Sequence, residues 1–492
     1  MLNPTLMCDF YKLSHREQYP KDTKFVYSLL VPRSNKFYNH SDHIVVVGFQ
    51  AFIKKYLIEH FNKEFFNQPK EKVINEYKRI VKYTLMIDNP DTSHLEDLHD
   101  LGYLPIEIYA LNEGTIIKPK TPILAIENTD ERFFWLTNYL ETIISTQTWQ
   151  MMTSATLSYD LKQILNQYAF ETVGTTDGVD FQAHDFAMRG MSSLESAELS
   201  SMGHLFNFKG TDTIPSILFA EKYYNTNIEK EVVGSSIPAT EHSVMCANGN
   251  YETLDEYETY KRLLTEVYPT GIFSVVSDTW DFWGNLTKTL PKLKDIIMNR
   301  NGTLIIRPDS GNPVKIICGD PNAQTEHERK GAIEVLWDLF GGTYSDKGYK
   351  ILDSHIGLIY GDSINIERAT EICKQLKEKG FASTNVVLGI GSFSYQFNTR
   401  DTHGFAIKAT YAKIGNKEKL IYKNPKTDEG IKKSHKGRVC VFEDGSWKDG
   451  LYLHDWLNLQ NKNQLKKIFE NGQLLKETSL SEIREMLNNN SI

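Results

Sequence analysis

Between about residues 185 and 392 the chain alternates short apolar runs with longer amphipathic stretches. The runs "VDFQAHDF", "HLFNFKG", "EVVGSSIPA", "FSVVSD", "GTLIIRPD", "HIGLIYGD" and "NVVLGIG" have the length and apolar character of buried strands. Among the stretches between them, "YETLDEYETYKRLLTEVY", "ERKGAIEVLWDLF" and "NIERATEICKQLKEKG" read as helices. In the first, Tyr257, Tyr260, Leu263, Leu264 and Val267 recur at intervals of three and four residues, which places them on one helix face. Alternation of this kind predicts parallel β/α units.

The flanks differ. "KFVYSLLVP" and "HIVVVGFQAF" read as strands, "EKVINEYKRIVKYTLMI" as a helix, and "LPIEIYALNEGTIIKPKTPILAIENTD" as a hairpin about its Asn-Glu-Gly turn. Near the other end, "HGFAIKATYAKI" and "KGRVCVFEDGSW" again read as antiparallel strands. The expected fold is α/β: an irregular β/α barrel over residues 151–392, with a discontinuous β-rich accessory domain from residues 1–150 and 393–492.

Polar residues follow the apolar runs at Asp185, Asp212, Glu241 with His242, Asp278, Asp309 and Asp362. Turn residues and helix N-caps must follow strands in any case. So many such positions, including an Arg-Pro-Asp and a Glu-His, point to a ligand site at the carboxyl ends of the strands.

Composition narrows the partners. The chain has 492 residues, 40% hydrophobic and 24% charged, enough for a sizeable core, and 12% aromatic residues speak against disorder. A net charge of -8 does not advertise nucleic-acid binding, although a few local Arg and Lys suffice for a small anion. Cys8, Cys246, Cys318, Cys373 and Cys440 form no C-x-x-C pair and no metal spacing, as expected in a reducing compartment. No signal core or membrane-length apolar run is evident, so a cytoplasmic protein without membrane partners is expected.

Several motifs carry chemistry. In "YGDS" (residues 360–363) and "GIGS" (residues 389–392), small residues after late strands let backbone N–H groups approach a phosphate. "IIRPDSGNP" offers Arg307 for a phosphate or pyrophosphate and Asp309 for ribose hydroxyls. "HDFAMRG" sets Phe186 near Arg189, suiting a flat ring joined to a charged group. Asp212 in "FKGTDT" would accept from an amide N–H₂ and repel an acid. His242 in "IPATEHS" has four readings by local sequence: metal ligand, general acid/base, phosphate acceptor or packed core residue. No second His at metal spacing favours the first.

These motifs, with "DFYKLSHREQYP", "WLTNYLET", "VVSDTWD", "TRDTHGFAIKAT" and "KGR", occur in an order that resembles the nicotinamide phosphoribosyltransferases of the type II phosphoribosyltransferase family, from about residue 9 to residue 438. The resemblance implies transfer of 5-phosphoribosyl from phosphoribosyl pyrophosphate to nicotinamide, giving nicotinamide mononucleotide and pyrophosphate in NAD salvage. Mg²⁺ would arrive with the pyrophosphate, and the enzyme would be a homodimer with interfacial sites. Phe186 and the partner chain's Tyr11 would sandwich the base. Asp212 would hold the carboxamide with Ser277 nearby, and Arg189 would orient base and phosphate. Arg307, Asp309, Gly361, Asp362, Gly391 and Ser392, with Arg400 and Lys408 from the other chain, would line ribose and phosphate; Arg33 would face pyrophosphate. The resemblance makes His242 the acceptor of a phosphoryl group from ATP, with Asp281 as its partner and Glu241 adjacent. Two departures are Ser392, where the family has a further glycine, and Ala406, where some relatives carry serine. Nicotinate phosphoribosyl transfer, or a catalytically silent nucleotide-binding protein on this scaffold, are the alternatives.

Overall fold

The structure is a computed structural model that describes residues 2–250, 252–361, 363–427 and 433–489. It divides into two compact units: Met1–Thr156 with Phe219–Thr226 and Asn398–Asn490, and Leu157–Leu218 with Asn227–Phe397.

The first unit is organised by a seven-stranded antiparallel sheet. Its strand order is Lys417–Leu420, Phe405–Ile414, Thr23–Pro32, Leu124–Asn128, Ile106–Ala110, Lys466–Glu470 and Gln473–Leu474. Early and late segments thus share one sheet. Thr23–Pro32 is central because its residues from Val26 onward are buried, so both edges of the strand must be paired. The expected hairpin is rearranged. Ile106–Ala110 pairs with Leu124–Asn128, whereas Thr115–Ile117, directly after the Asn-Glu-Gly turn, pairs with Ile44–Val46. Glu113 explains the exchange: its buried carboxylate accepts the backbone N–H groups of Gly48 (3.0 Å) and Gln50 (2.6 Å), tying the turn to the segment after Ile44–Val46.

The second unit holds a six-stranded parallel sheet. Its order is Gly210–Thr211, Ala183–Asp185, Val386–Ile390, Ile356–Tyr360, Leu304–Arg307 and Phe273–Val276. Parallel bridges Gly210 to Ser235 and Ala239 to Ser274 connect residues 235–239 to both edge strands, so the edges meet through this segment as an irregular barrel. Helices such as Ile366–Glu378 follow the strands, with Ile366, Ala369, Ile372, Cys373 and Leu376 buried at helical spacing. "HLFNFKG" departs from expectation: His204 and Leu205 end the helix Leu194–Leu205, and the strand shrinks to Gly210–Thr211. The His204 ring is committed there, with Nδ1 2.6 Å from the Tyr395 hydroxyl and Nε2 3.0 Å from the Gly210 carbonyl. "ERKGAIEVLWDLF" forms two helices, Glu326–Lys330 and Ala332–Phe340, broken at Gly331, whose φ of 83° suits glycine. Among the described residues no helix is long and apolar enough to cross a membrane.

Candidate active site

Because the barrel strands are parallel, the residues after each strand gather at one end of the barrel. Asp185 ends Ala183–Asp185, Asp212 follows Gly210–Thr211, Arg307 ends Leu304–Arg307, and Gly361 follows Ile356–Tyr360. Asp185 is fully buried and holds this end together: it accepts the Ala187 N–H (2.9 Å) and the hydroxyls of Thr211 (2.9 Å) and Thr213 (2.8 Å). Its hydrogen bonds fix the loop that carries Asp212.

Two cavities share Phe186, Asp212, Ala239 and Arg307. One, about 350 Å³, also takes in His184, Ser236 and Ser274 and is otherwise mainly apolar. The other, about 600 Å³, is lined further by Arg189, Thr240 and Glu241. The Phe186 ring lies against Gly389, where an added Cβ would come 2.9 Å from Phe186 Cδ2 and 2.5 Å from the Tyr360 carbonyl. Glycine there leaves room for the ring. Asp212 Oδ1 accepts from His184 Nε2 (2.8 Å) and the Ser236 hydroxyl (2.5 Å). Partial desolvation pushes the Asp212 carboxyl up, but these hydrogen bonds outweigh it and leave it below the usual carboxylate range. Arg307 donates to the Thr240 carbonyl (2.9 Å), and its buried Nε has no partner among the described residues. A carboxylate acceptor, an aromatic ring and a guanidinium therefore line shared space.

Asp278, not Asp281, is the partner of His242. Asp278 Oδ1 lies 3.2 Å from His242 Nε2, while its Oδ2 accepts the Asp309 N–H (2.9 Å) and the Ser310 hydroxyl (2.6 Å). Burial works to raise the Asp278 carboxyl, but these three donors hold it below the usual range. Asp281 instead caps the turn Phe282–Gly284, accepting the Gly284 N–H at 2.8 Å. An aspartate opening a helix satisfies an otherwise orphaned N–H, which commits its carboxylate locally. Ser277 is likewise corrected. It is fully buried, donating to the Val275 carbonyl (2.7 Å) and accepting from Tyr260 (3.0 Å). Ser274, on the strand Phe273–Val276 just before it, lines the cavity instead, and its buried Oγ has no partner among the described residues.

The remaining positions are distributed as follows. His242 opens helix His242–Asn248 with its side chain 48% exposed, and the preceding Glu241 accepts the Ser243 hydroxyl. Asp309 packs against Gly361, where any Cβ would overlap its Oδ1. Gly391 and Ser392 begin helix Ser392–Tyr395, and Ser392 Oγ occupies the space a Cβ on Gly190 would need. Asp362 lies outside the described residues. Within the first unit, Tyr11 and Lys408 line a cavity of about 420 Å³ with Lys12, His15 and Glu141. Arg33, Lys408 and Ala406 line another of about 280 Å³ with Lys120, His435 and Trp447. Glu141 bridges Lys12 (2.5 Å) and Lys408 (3.3 Å). Arg400 pairs with Asp401 (3.2 Å) and lines neither cavity. Sequence reasoning did not single out His184, Ser236 or Ser274 for the site. The one available signal was their placement in or beside the apolar runs whose polar successors were recognised.

A β/α barrel that gathers an aromatic ring, an ionised carboxylate and an arginine at its carboxyl end suits a base- and phosphate-handling enzyme, as the phosphoribosyltransferases are. The nicotinate phosphoribosyltransferase (NAPRTase) family model matches residues 181–473, and the nicotinamide phosphoribosyltransferase N-terminal domain matches residues 3–108. The chain belongs to the nicotinate phosphoribosyltransferase family. It is 47% identical to a nicotinamide phosphoribosyltransferase of Acinetobacter baylyi over 99% of this chain and 97% of that protein. With the nicotinamide phosphoribosyltransferase of Mycoplasma pneumoniae it shares 38% identity over 87% of this chain and 93% of the relative. Its fold is similar to a nicotinate-nucleotide pyrophosphorylase from Pyrococcus furiosus, with a TM-score of 0.57 and 17% identity over 99% and 95% of the two chains. Human nicotinic acid phosphoribosyltransferase gives a TM-score of 0.53 at 13% identity, over 98% and 93%.

Proposed function

We propose that this protein transfers the 5-phosphoribosyl group of phosphoribosyl pyrophosphate to nicotinamide, giving nicotinamide mononucleotide and pyrophosphate as a step of NAD salvage. The observation that carries this reading is Asp212, an ionised acceptor beside Phe186 in the cavity that Arg307 also lines. Nicotinamide offers a flat ring for Phe186 and an amide N–H for the carboxylate; nicotinate would bring a second negative charge to Asp212. The bond from ribose C1 to pyrophosphate breaks, its electron pair leaves with pyrophosphate, and the ring nitrogen forms the new bond to C1. The nitrogen carries no proton to remove, so the residues need to position rather than deprotonate it. Arg307 suits the phosphate charge and Asp309 the ribose hydroxyls. We assign Mg²⁺ to the phosphoribosyl pyrophosphate as substrate, where it would neutralise the leaving pyrophosphate.

The proposal includes coupling to ATP. With Nε2 held by Asp278, His242 Nδ1 is the nitrogen left to attack the terminal phosphorus, releasing ADP, and water later cleaves the N–P bond. Lys408 and Tyr11, already clustered about Glu141, and Arg400 are assigned to completing the site from a second copy of the chain. Co-expression of Asp212→Ala with Lys408→Ala tests this: a homodimer with shared sites regains activity that neither variant has alone. A cytoplasmic setting belongs to the same proposal, supported by free cysteines.

One reaction series tests the whole: phosphoribosyl pyrophosphate and Mg²⁺ with nicotinamide or nicotinate, with and without ATP, followed for mononucleotide. Nicotinamide is expected to be preferred, with ATP stimulating turnover and His242→Ala abolishing the stimulation while slower synthesis persists. Preference for nicotinate would overturn the substrate assignment, and nucleotide binding with no product would establish the catalytically silent reading.

A further inference from the structure

We infer that His184 is the positioning residue for base selectivity: it orients Asp212 and supports Phe186 in one stroke. This inference rests on the reading of Asp212 as the acceptor for the carboxamide. His184 sits in the strand Ala183–Asp185, between Gly210–Thr211 and Val386–Ile390, and lines the smaller cavity. Its Nε2 lies 2.8 Å from Asp212 Oδ1, the same oxygen that accepts the Ser236 hydroxyl at 2.5 Å. Oδ2 receives no hydrogen bond among the described residues. Two donors on Oδ1 thus pin the carboxylate by one oxygen and leave the other for an incoming N–H.

The same ring lies 4.5 Å, centroid to centroid, from the ring of Phe186, tilted by 37°. Its other nitrogen is backed by Gly210, where an added Cβ would come 2.8 Å from Nδ1. A side chain at residue 210 would collide with the imidazole, so glycine there gives His184 its room. The imidazole thus braces the aromatic plate while it orients the acceptor. Because the Asp212 carboxylate is ionised, the contact is charge-assisted when Nε2 donates, and directional. Losing this donor leaves the Ser236 hydroxyl to hold Oδ1 alone among the described residues, and the carboxylate is less firmly oriented. Amide recognition weakens, while the groups on phosphate and ribose stay in place.

The test uses the full-length protein and measures kcat and KM for nicotinamide and for nicotinate, alongside thermal unfolding. His184→Phe keeps a plate against Phe186 and removes the donor. It is expected to raise the nicotinamide KM about tenfold with a smaller change in kcat, and to lower the nicotinamide-to-nicotinate ratio of kcat/KM by about the same factor. His184→Gln retains an N–H donor and is expected to keep that ratio within about threefold. Should His184→Phe not fold, His184→Met serves as the donorless variant with the same expectation. A folded donorless variant that keeps the wild-type ratio overturns the inference, as does an equal loss for both bases in all variants, the mark of a structural role. If the unaltered protein shows no preference for nicotinamide, the Asp212 reading falls and takes the inference with it. That pattern is distinct, because it is seen before any substitution at residue 184.

Discussion

Asp278→Asn and Asp281→Asn should separate the two acidic residues of "SDTWD". Asparagine at residue 278 keeps the shape but has one oxygen, which the Asp309 N–H and Ser310 hydroxyl at Oδ2 are placed to claim. Its amide N–H₂ then faces His242 Nε2 and donates to it. Nε2 becomes the acceptor, the ring proton moves to Nδ1, and the lone pair needed to attack phosphorus is gone. A charge-assisted hydrogen bond contributes about 1.5–3 kcal/mol. The His242 side chain is 48% exposed and the contact is 3.2 Å, so the lower end applies. With the tautomer reversed as well, ATP-dependent turnover should fall roughly ten- to hundredfold, at about 1.4 kcal/mol per factor of ten. Asparagine is as good an N-cap as aspartate, so Asp281→Asn should change turnover by less than about twofold. The measurement is the ATP-dependent increment in mononucleotide formation, together with acid-labile phosphate on the protein after incubation with γ-labelled ATP. Loss of both in Asp281→Asn, with both retained in Asp278→Asn, would refute the reasoning.

Other perturbations follow from the same geometry. Burial, assisted by the charge of Arg16, pushes the His94 imidazole down to about 3, with its ring edge-on to Trp135 at 4.9 Å. The unfolded chain takes up a proton near pH 6.5 that the folded chain refuses, so this contribution is intact above that pH and is lost as pH falls toward the folded value. By pH 5 the loss amounts to ~2 kcal/mol, and urea midpoints of His94→Leu at pH 7 and pH 5 should differ correspondingly less than those of the unaltered protein. Glu141→Gln leaves Lys12, only 3% exposed, without its carboxylate, and should lower stability by about 3 kcal/mol in chemical denaturation. Gly190→Ala places a Cβ into Ser392 Oγ and should cost ~1–3 kcal/mol, whereas the double variant with Ser392→Gly should recover most of it, a non-additivity read from a double-mutant cycle.

The parallel strands were legible because strands covered on both faces read as nearly unbroken apolar runs, and the polar residue that ends each run has to face the loops. Asp212, Arg307 and Asp309 were found in that way. Where a run was apolar for another reason the rule failed: in "HLFNFKG", His204 and Leu205 are buried as the end of a helix, and burial alone does not distinguish the two periods. The hairpin failed for a different cause, a buried Glu113 whose backbone donors lie in a segment far earlier in the chain. Local pattern reads hydrophobic partners well and long-range polar partners hardly at all.

That distinction also governs the site. A carboxylate at residue 212 can be read from one letter, but its use as an acceptor depends on which oxygen is free. His184 and Ser236, 28 and 24 residues away in sequence, decide that by sharing Oδ1. Likewise "SDTWD" offers two carboxylates within four residues, and only the placement of Ser310 and the Asp309 N–H selects Asp278 for His242. The residue types of the chemistry are therefore written locally, while their protonation, tautomer and open lone pairs are set by donors brought in from other strands. Substitutions of those donors should alter selectivity and coupling before they alter the fold, because each donor acts on a carboxylate after a strand end, while Asp185 and its own hydrogen bonds hold that end of the barrel together.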